Sequence, residues 1–254
     1  MVYTSLTEVP RNLKEAIDWL IALKGTDADN NINAMGAALY DFLAEQPVGL
    51  RRLPELEKIK PITRAFLMNE ELRVEPFVKD LLGRFRRPMN KNYHILRHRL
   101  LIVNDSDYKN VIETERLKPR DMANGLGEVV FGCERLLHNI ANSRKYVSSY
   151  SSEATWANSC SANEYACAAV LVGIAPMLYA GLRALRAAGS AATRDSSCDE
   201  DNRVGTVLEA LGYPYPESRA SLDMSGAEVR TAMKAVKLHV LEFIYDIAGF
   251  WAFY

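Results

Sequence analysis

From Tyr165 through Leu182 the chain runs eighteen residues without a charged side chain, and no other stretch resembles it. Eighteen lies at the lower edge of the roughly 17–25 residues needed to cross a bilayer, so a membrane span has to be weighed first. The wider segment NEYACAAVLVGIAPMLYAGLRALRAAG, Asn163 to Gly189, is diluted by alanines, Gly173, Gly181 and Pro176, and Arg183 and Arg186 arrive before any loop signal. Small residues suit a helix that neighbours approach from all sides, and the expectation is a central core helix. Pro176 lacks an N–H and crowds the preceding turn, so a bend is expected there.

A chain of 254 residues with 48% hydrophobic side chains has enough apolar material to surround such a helix. Its net charge of −1 argues against bulk nucleic-acid binding, and no nucleic-acid partner is expected. The opening MVYTSLTEVPRNLKEAIDWL has no basic leader followed by an apolar run, so no signal peptide is visible.

Apolar spacing reads as helix almost throughout. Pro10 to Lys24 places Leu13, Ala16, Ile17, Leu20 and Ile21 on one face and stops at Gly25. A second helix, from about Asp29 to Glu45, should pair with it as an antiparallel hairpin. A third, Pro54 to Met68, turns Leu56, Ile59, Ala65, Phe66 and Leu67 inward, with Pro61 able to break it. A short helix around Phe77 to Leu82 follows. Ser106 is read as the cap of a helix reaching Arg116, and Pro119 opens a long one to about Asn142 with Cys133 on its core face. Serine-rich SRKYVSSYSSEATWANSCS connects irregularly into the central helix. Beyond it, Ser190 to Asn202 is small, polar and acidic, and a mobile loop is expected there. Val204 to Leu211 is a short helix, and one last helix runs from about Gly226 past Ile247. The end, FIYDIAGFWAFY, is expected to pack inward, the alternative being an exposed aromatic patch. With no convincing strand alternation, the fold class is all-α: one domain over 1–254, a bundle of about seven to nine helices around a central apolar helix near 163–188.

Chemistry is sparse. There is no GxGxxG, P-loop, GxSxG or HExxH, and without CxxC a zinc site has little support. No catalytic residue, cofactor or metal is therefore expected. Arg84 to Arg99 carries six Lys or Arg, two His and no acid. Arg84, Arg86, Arg87, Lys91, Arg97 and Arg99, with Phe85 and Tyr93 between them, form a possible anion-binding patch, against the plainer reading of a solvated loop. His94 and His98 lie one turn apart but lack a third ligand. Asn104-Asp105-Ser106 is a formal glycosylation sequon. Cys133, Cys160, Cys167 and Cys198 are possible disulfide partners, and equally four buried thiols.

Three stretches together resemble the variant erythrocyte surface antigen (VESA) family of Babesia-type parasites: SLTEVPRNLKEAIDWLIALKGTD, VVFGCERLL, and SSYSSEATWANSC followed by CAAVLVGIAPMLYAGL. VLEALGYP, near Val207, is similar to the region after the central helix in that family. The resemblance implies an antigenically variable protein exported to the infected erythrocyte surface, acting in cytoadherence and immune evasion. It implies a host endothelial receptor and host antibodies as partners, with a second family subunit possible. Family members usually carry a C-terminal anchor and a short tail, so membrane association is expected only through a segment absent from this chain. The alternative function is a helical scaffold or assembly subunit pairing with another chain through its apolar C-terminal helix.

An oxidising surface would favour disulfides, and geometry limits them. A helix of roughly 25 residues is about 38 Å long, so Cys198, beyond its far end, reaches Cys160 or Cys167 only if the intervening loop runs back along it. Cys133 could meet either one. The expectation is that Cys160 or Cys167 is bridged and that at least one disulfide joins the central helix to another segment.

Overall fold

The computed structural model describes residues 2–87, 91, 104–141, 145–191, 198–214 and 226–254, with only the backbone at 198–203 and 226. Helix α1 (Leu13–Lys24) begins where the Asn12 side chain accepts from the Glu15 N–H, and ends where Gly25 turns to φ +54° and its N–H meets the Ile21 carbonyl. Then follow α2 (Ala28–Ala44), α3 (Pro54–Glu57), α4 (Lys60–Leu67), α5 (Glu70–Arg73) and α6 (Pro76–Arg86). A 3-10 turn, Asp105–Asp107, leads to α7 (Val111–Thr114) and the long α8 (Pro119–Ile140). The second half contains α9 (Trp156–Ser159), the central α10 (Glu164–Ala191), α11 (Cys198–Ala210), α12 (Gly226–Ala232), α13 (Leu238–Ile247) and α14 (Phe250–Phe253). The fold is all-α: nine of these helices have seven residues or more, and the described residues contain no strand.

Helix α10 is long and apolar enough to cross a membrane, but 83% of its most apolar window is buried inside the fold, against α1, α2, α4, α11, α12 and α13. One contiguous apolar core reaches from Tyr3 to Tyr254. Small residues set the spacing, as the sequence suggested. A Cβ on Gly173 would stand 2.4 Å from Ile59 Cγ2, so α10 can lie against the α3–α4 joint only with glycine there. Pro176 sits inside the helix without ending it. Its ring crowds the carbonyls one turn back, and one of these, on Gly173, accepts a 2.7 Å hydrogen bond from the buried Thr63 hydroxyl.

Helix α2 touches α1, but its most extensive neighbour is α8. Gly36 faces the Ala123 backbone so closely that a Cβ would fall 2.5 Å from its Cα.

Several boundaries differ from the sequence expectations. Pro61 does divide the third helix, into α3 and α4, but Ala65 is exposed and Thr63 takes the inward position. Ser106 caps no helix: Asn110 does, accepting from the Ile112 N–H while its amide donates to Leu43 and Gln46 carbonyls at the end of α2. Cys198 to Asn202, expected within a mobile loop, has helical backbone and lengthens the helix expected from Val204; residues 192–197 lie outside the described ones. The single last helix is three pieces. A 3-10 turn at Met233–Ala235 and extended backbone at Val236–Lys237 separate α12 from α13, and Gly249 at φ +64° turns the chain into α14.

Helix α14 packs inward. Phe250, Trp251, Phe253 and Tyr254 are all buried. The last four carbonyls of a helix have no intrahelical donor, and here each finds one elsewhere. Lys91 Nζ donates to Phe250, the Gly49 N–H to Trp251, the Arg51 N–H to Ala252 and Lys60 Nζ to Phe253, at 2.6, 2.9, 2.7 and 2.8 Å. Arg51 adopts φ +69° to present its N–H.

Candidate functional site

Among the described residues, two places concentrate polar side chains. The first is a corner where the amino-terminal segment, α1 and residues 145–160 interlock. Tyr3 and Tyr150 form an isolated parallel bridge, with Tyr3 N–H on the Ser149 carbonyl at 2.8 Å. The Trp19 indole donates to the Leu6 carbonyl at 2.7 Å, and the Leu6 N–H donates to Ser159 Oγ at 3.0 Å. Beneath them lies the buried Lys14–Asp18 pair, one turn apart on α1 at 3.3 Å. Asp18 also accepts from the Tyr146 hydroxyl and from the Ser149 N–H, while Lys14 donates to the Val147 carbonyl. A buried pair with its remaining hydrogen-bonding capacity filled by fixed neighbours holds geometry more than it adds stability. Here it straps residues 146–149 to α1.

Cys160 and Cys167 close this corner as a disulfide, with Cα atoms 5.7 Å apart and a sequence separation of 7. It joins the end of α9 to the first turn of α10; so short a loop contributes about 2.5 kcal/mol by the chain-entropy model. Cys133 is a buried free thiol on α8, pushed up to about 12 by burial and by the charge of Glu134. At that value it is inert at neutral pH. The side chain of Cys198 lies outside the described residues.

The basic run does not present one surface. Arg84 turns inward and grips Asp107 through Nε and Nη2, with Nη2 to Oδ2 at 2.9 Å, and its guanidinium lies 4.9 Å from the Phe250 ring centre. Tyr245 joins them, donating to Asp107 at 2.8 Å and accepting from Arg84 at 2.5 Å. Lys91 is spent on the Asp107 and Phe250 carbonyls, and burial lowers it to about 8, against the pull of Asp107. Arg86 and Arg87 are exposed. Arg97, Arg99, His94 and His98 lie outside the described residues. The patch read from sequence therefore loses Arg84 and Lys91, because a buried carboxylate and orphan carbonyls draw them in.

The second place is an open cleft of about 1120 Å³ between α6, the Asp105–Asp107 turn, the C-terminal half of α10 and α13. Seven carboxylates line it against three arginines and one histidine, so it is negative overall. The arginines are engaged: Arg84 as described, Arg183 over the Phe77 ring at 4.6 Å and on the Tyr179 hydroxyl, Arg186 on the Val236 carbonyl at 3.3 Å. Asp246 lines it from α13. Burial holds its carboxyl up to about 6; Ser106 pulls it down, while Glu115, Glu242 and Asp107 push it further up. The Ser106 hydroxyl is itself buried with no group in hydrogen-bonding geometry, though it lies close enough to Asp246 to favour the carboxylate. No group of three or more metal-ligating side chains occurs among the described residues.

Sequence reasoning missed this cleft, because its groups come from positions 80, 106, 115, 183 and 246 and share no local pattern. The one available signal was Asp246 within an otherwise apolar FIYDIAGFWAFY. No family model, curated protein or solved structure matches the chain.

Proposed function

We propose that the chain is a binding protein, an antigenically variable parasite protein displayed on the infected erythrocyte surface and acting in host-cell adhesion and immune evasion. The reading rests on its resemblance to the variant erythrocyte surface antigens. The observation that supports it is the interlocking of two of the resembling stretches, SLTEVPRNLKEAIDWL and SSYSSEATWANSC, into one corner closed by the Cys160–Cys167 disulfide. Residues that lock together are a unit a family can share while the loops outside them vary. A disulfide there also suits an oxidising compartment. The alternative, a scaffold subunit pairing through its apolar C-terminal helix, finds less support, since Phe250, Trp251 and Phe253 are buried within the chain itself.

Intact, non-permeabilised infected erythrocytes test the proposal. Antibodies raised against the folded chain should label them, surface trypsin should remove the label, and the antibodies should reduce attachment to endothelial cells. Label that appears only after permeabilisation, with Cys160 and Cys167 as free thiols, would overturn it.

A further inference from the structure

Arg86 and Arg87, the arginines of the basic run that stay outside, are joined by two from a distant stretch. The loop at 47–52 is pinned along α14 by the N–H groups of Gly49 and Arg51, and Lys60 donates to the Arg51 carbonyl at 3.0 Å. Lys60 Nζ lies 5.0 Å from the Tyr254 ring centre, and the Phe85 ring, just before Arg86, packs 4.9 Å from that same ring. Helix α14 thus gathers Arg51, Arg52, Arg86 and Arg87 at one end of the fold. All four are exposed, and none has a carboxylate partner among the described residues. The acids nearby are engaged or turned aside: Glu57 holds Lys60 at 2.8 Å, Asp107 holds Arg84, and Glu45 and Glu55 lie toward Tyr165. The same loop leaves apolar groups in water, Val48 at 47% and Leu50 at 37% exposure. Gly49 at φ +80° and Arg51 at φ +69° fix its backbone, so it keeps one shape while these side chains stay outside. Neighbouring cationic and aliphatic groups on a fixed loop suit the boundary between water and lipid, where guanidinium groups meet headgroup phosphates and aliphatic groups enter beneath them. A dissolved polyanion would use the arginines and leave Val48 and Leu50 in water.

We infer that this face docks on an anionic lipid bilayer, with Arg51, Arg52, Arg86 and Arg87 against the headgroup phosphates and Val48 and Leu50 entering between them. The contact is peripheral, and α10 stays in the core. The inference rests on this face and not on the adhesin reading; either can fail alone.

Flotation of the whole chain with vesicles tests it, using phosphatidylcholine alone and phosphatidylcholine with about one-third phosphatidylserine. The chain should float with the anionic vesicles only, and salt should release it. Arg51→Gly, which removes the charge and suits the left-handed backbone, should weaken binding about fivefold, as should Arg52→Ser, Arg86→Ser and Arg87→Ser. Arg120→Ser and Arg135→Ser, exposed on α8, should leave it unchanged. Val48→Ser combined with Leu50→Ser should weaken it several-fold with every arginine in place. Absence of binding to the anionic vesicles overturns the inference, as does equal binding by the parent and the Arg51→Gly, Arg52→Ser double variant. Unchanged binding by the double serine variant at Val48 and Leu50 overturns it too, since no apolar group would then enter the bilayer. Retention on heparin without binding to the vesicles would assign the arginines to a dissolved glycan and equally overturn it. The substituted side chains are exposed, so the variants are expected to fold, and far-ultraviolet circular dichroism checks that they have.

Discussion

Thr63 shows how one side chain can settle a problem set elsewhere in the chain. Pro176 leaves the Val172 carbonyl of the central helix without its N–H donor, and in the same turn the Thr63 hydroxyl, fully buried on α4, bonds the neighbouring Gly173 carbonyl. Replacing Thr63 by Val keeps the shape and removes the donor, leaving a carbonyl without that bond in an apolar core. The expected loss is about 1–2 kcal/mol, read as a lower urea midpoint at unchanged slope. Thr63→Ser keeps the hydroxyl and should lose less, so a serine variant as unstable as the valine one would show that the bond contributes nothing. Thr63 was not legible as a core residue. The apolar spacing of PITRAFL points to Ala65, and only the packing of α4 against the central helix gives Thr63 a partner, the Gly173 carbonyl.

At the scale of elements, glycine separates packing from propensity. Gly36 on α2 and Gly83 on α6 are both helical, and replacing either by Ala should gain up to about 1 kcal/mol of helix propensity. A Cβ at Gly83 meets nothing within 4 Å, so Gly83→Ala should be stabilising by up to that amount. A Cβ at Gly36 would fall 2.5 Å from the Ala123 Cα, and backbone cannot move aside as a side chain can. Overpacking costs about 1–3 kcal/mol, which exceeds the propensity gain, so Gly36→Ala should be destabilising. Thermal unfolding of the two variants should give shifts of opposite sign; a stabilised Gly36→Ala would mean that α2 and α8 are further apart than the structure places them. The elements themselves were legible where local signals agree. The apolar stripe and Gly25 mark α1, although its start lies at the Asn12 cap and not at Pro10, and Pro119 opens α8. The break between α12 and α13 was not legible, because Val229, Met233, Val236 and Val240 keep helical spacing across it. It follows from distant contacts: a Cβ on Gly132 would lie only 3.1 Å from the Ala235 carbonyl, and Arg186 donates to the freed Val236 carbonyl.

Over the whole molecule, charges far apart in sequence meet at Asp246, and their sum should appear in how stability depends on pH. Its carboxyl is held at about 6 in the fold against an ordinary 3.8, first by burial, with Ser106 opposing and with Glu115, Glu242 and Asp107 adding repulsion. Between those values the unfolded chain has lost this proton while the folded chain keeps it. The unfolded state binds fewer protons, so stability falls as pH rises from about 4 to about 6 and stays lowered above that. Two pKa units correspond to somewhat under 3 kcal/mol, and partial solvent access reduces this to about 2 kcal/mol. Asp246→Asn removes the titration and keeps the shape. The variant should therefore be more stable than the parent by about 2 kcal/mol near pH 7.5 and nearly equal to it near pH 4, measured as urea-unfolding free energies. Other carboxylates will impose their own slopes, but these cancel in the difference between the two proteins. A difference that is the same at both pH values would show that Asp246 ionises normally and that its neighbours do not repel its charge.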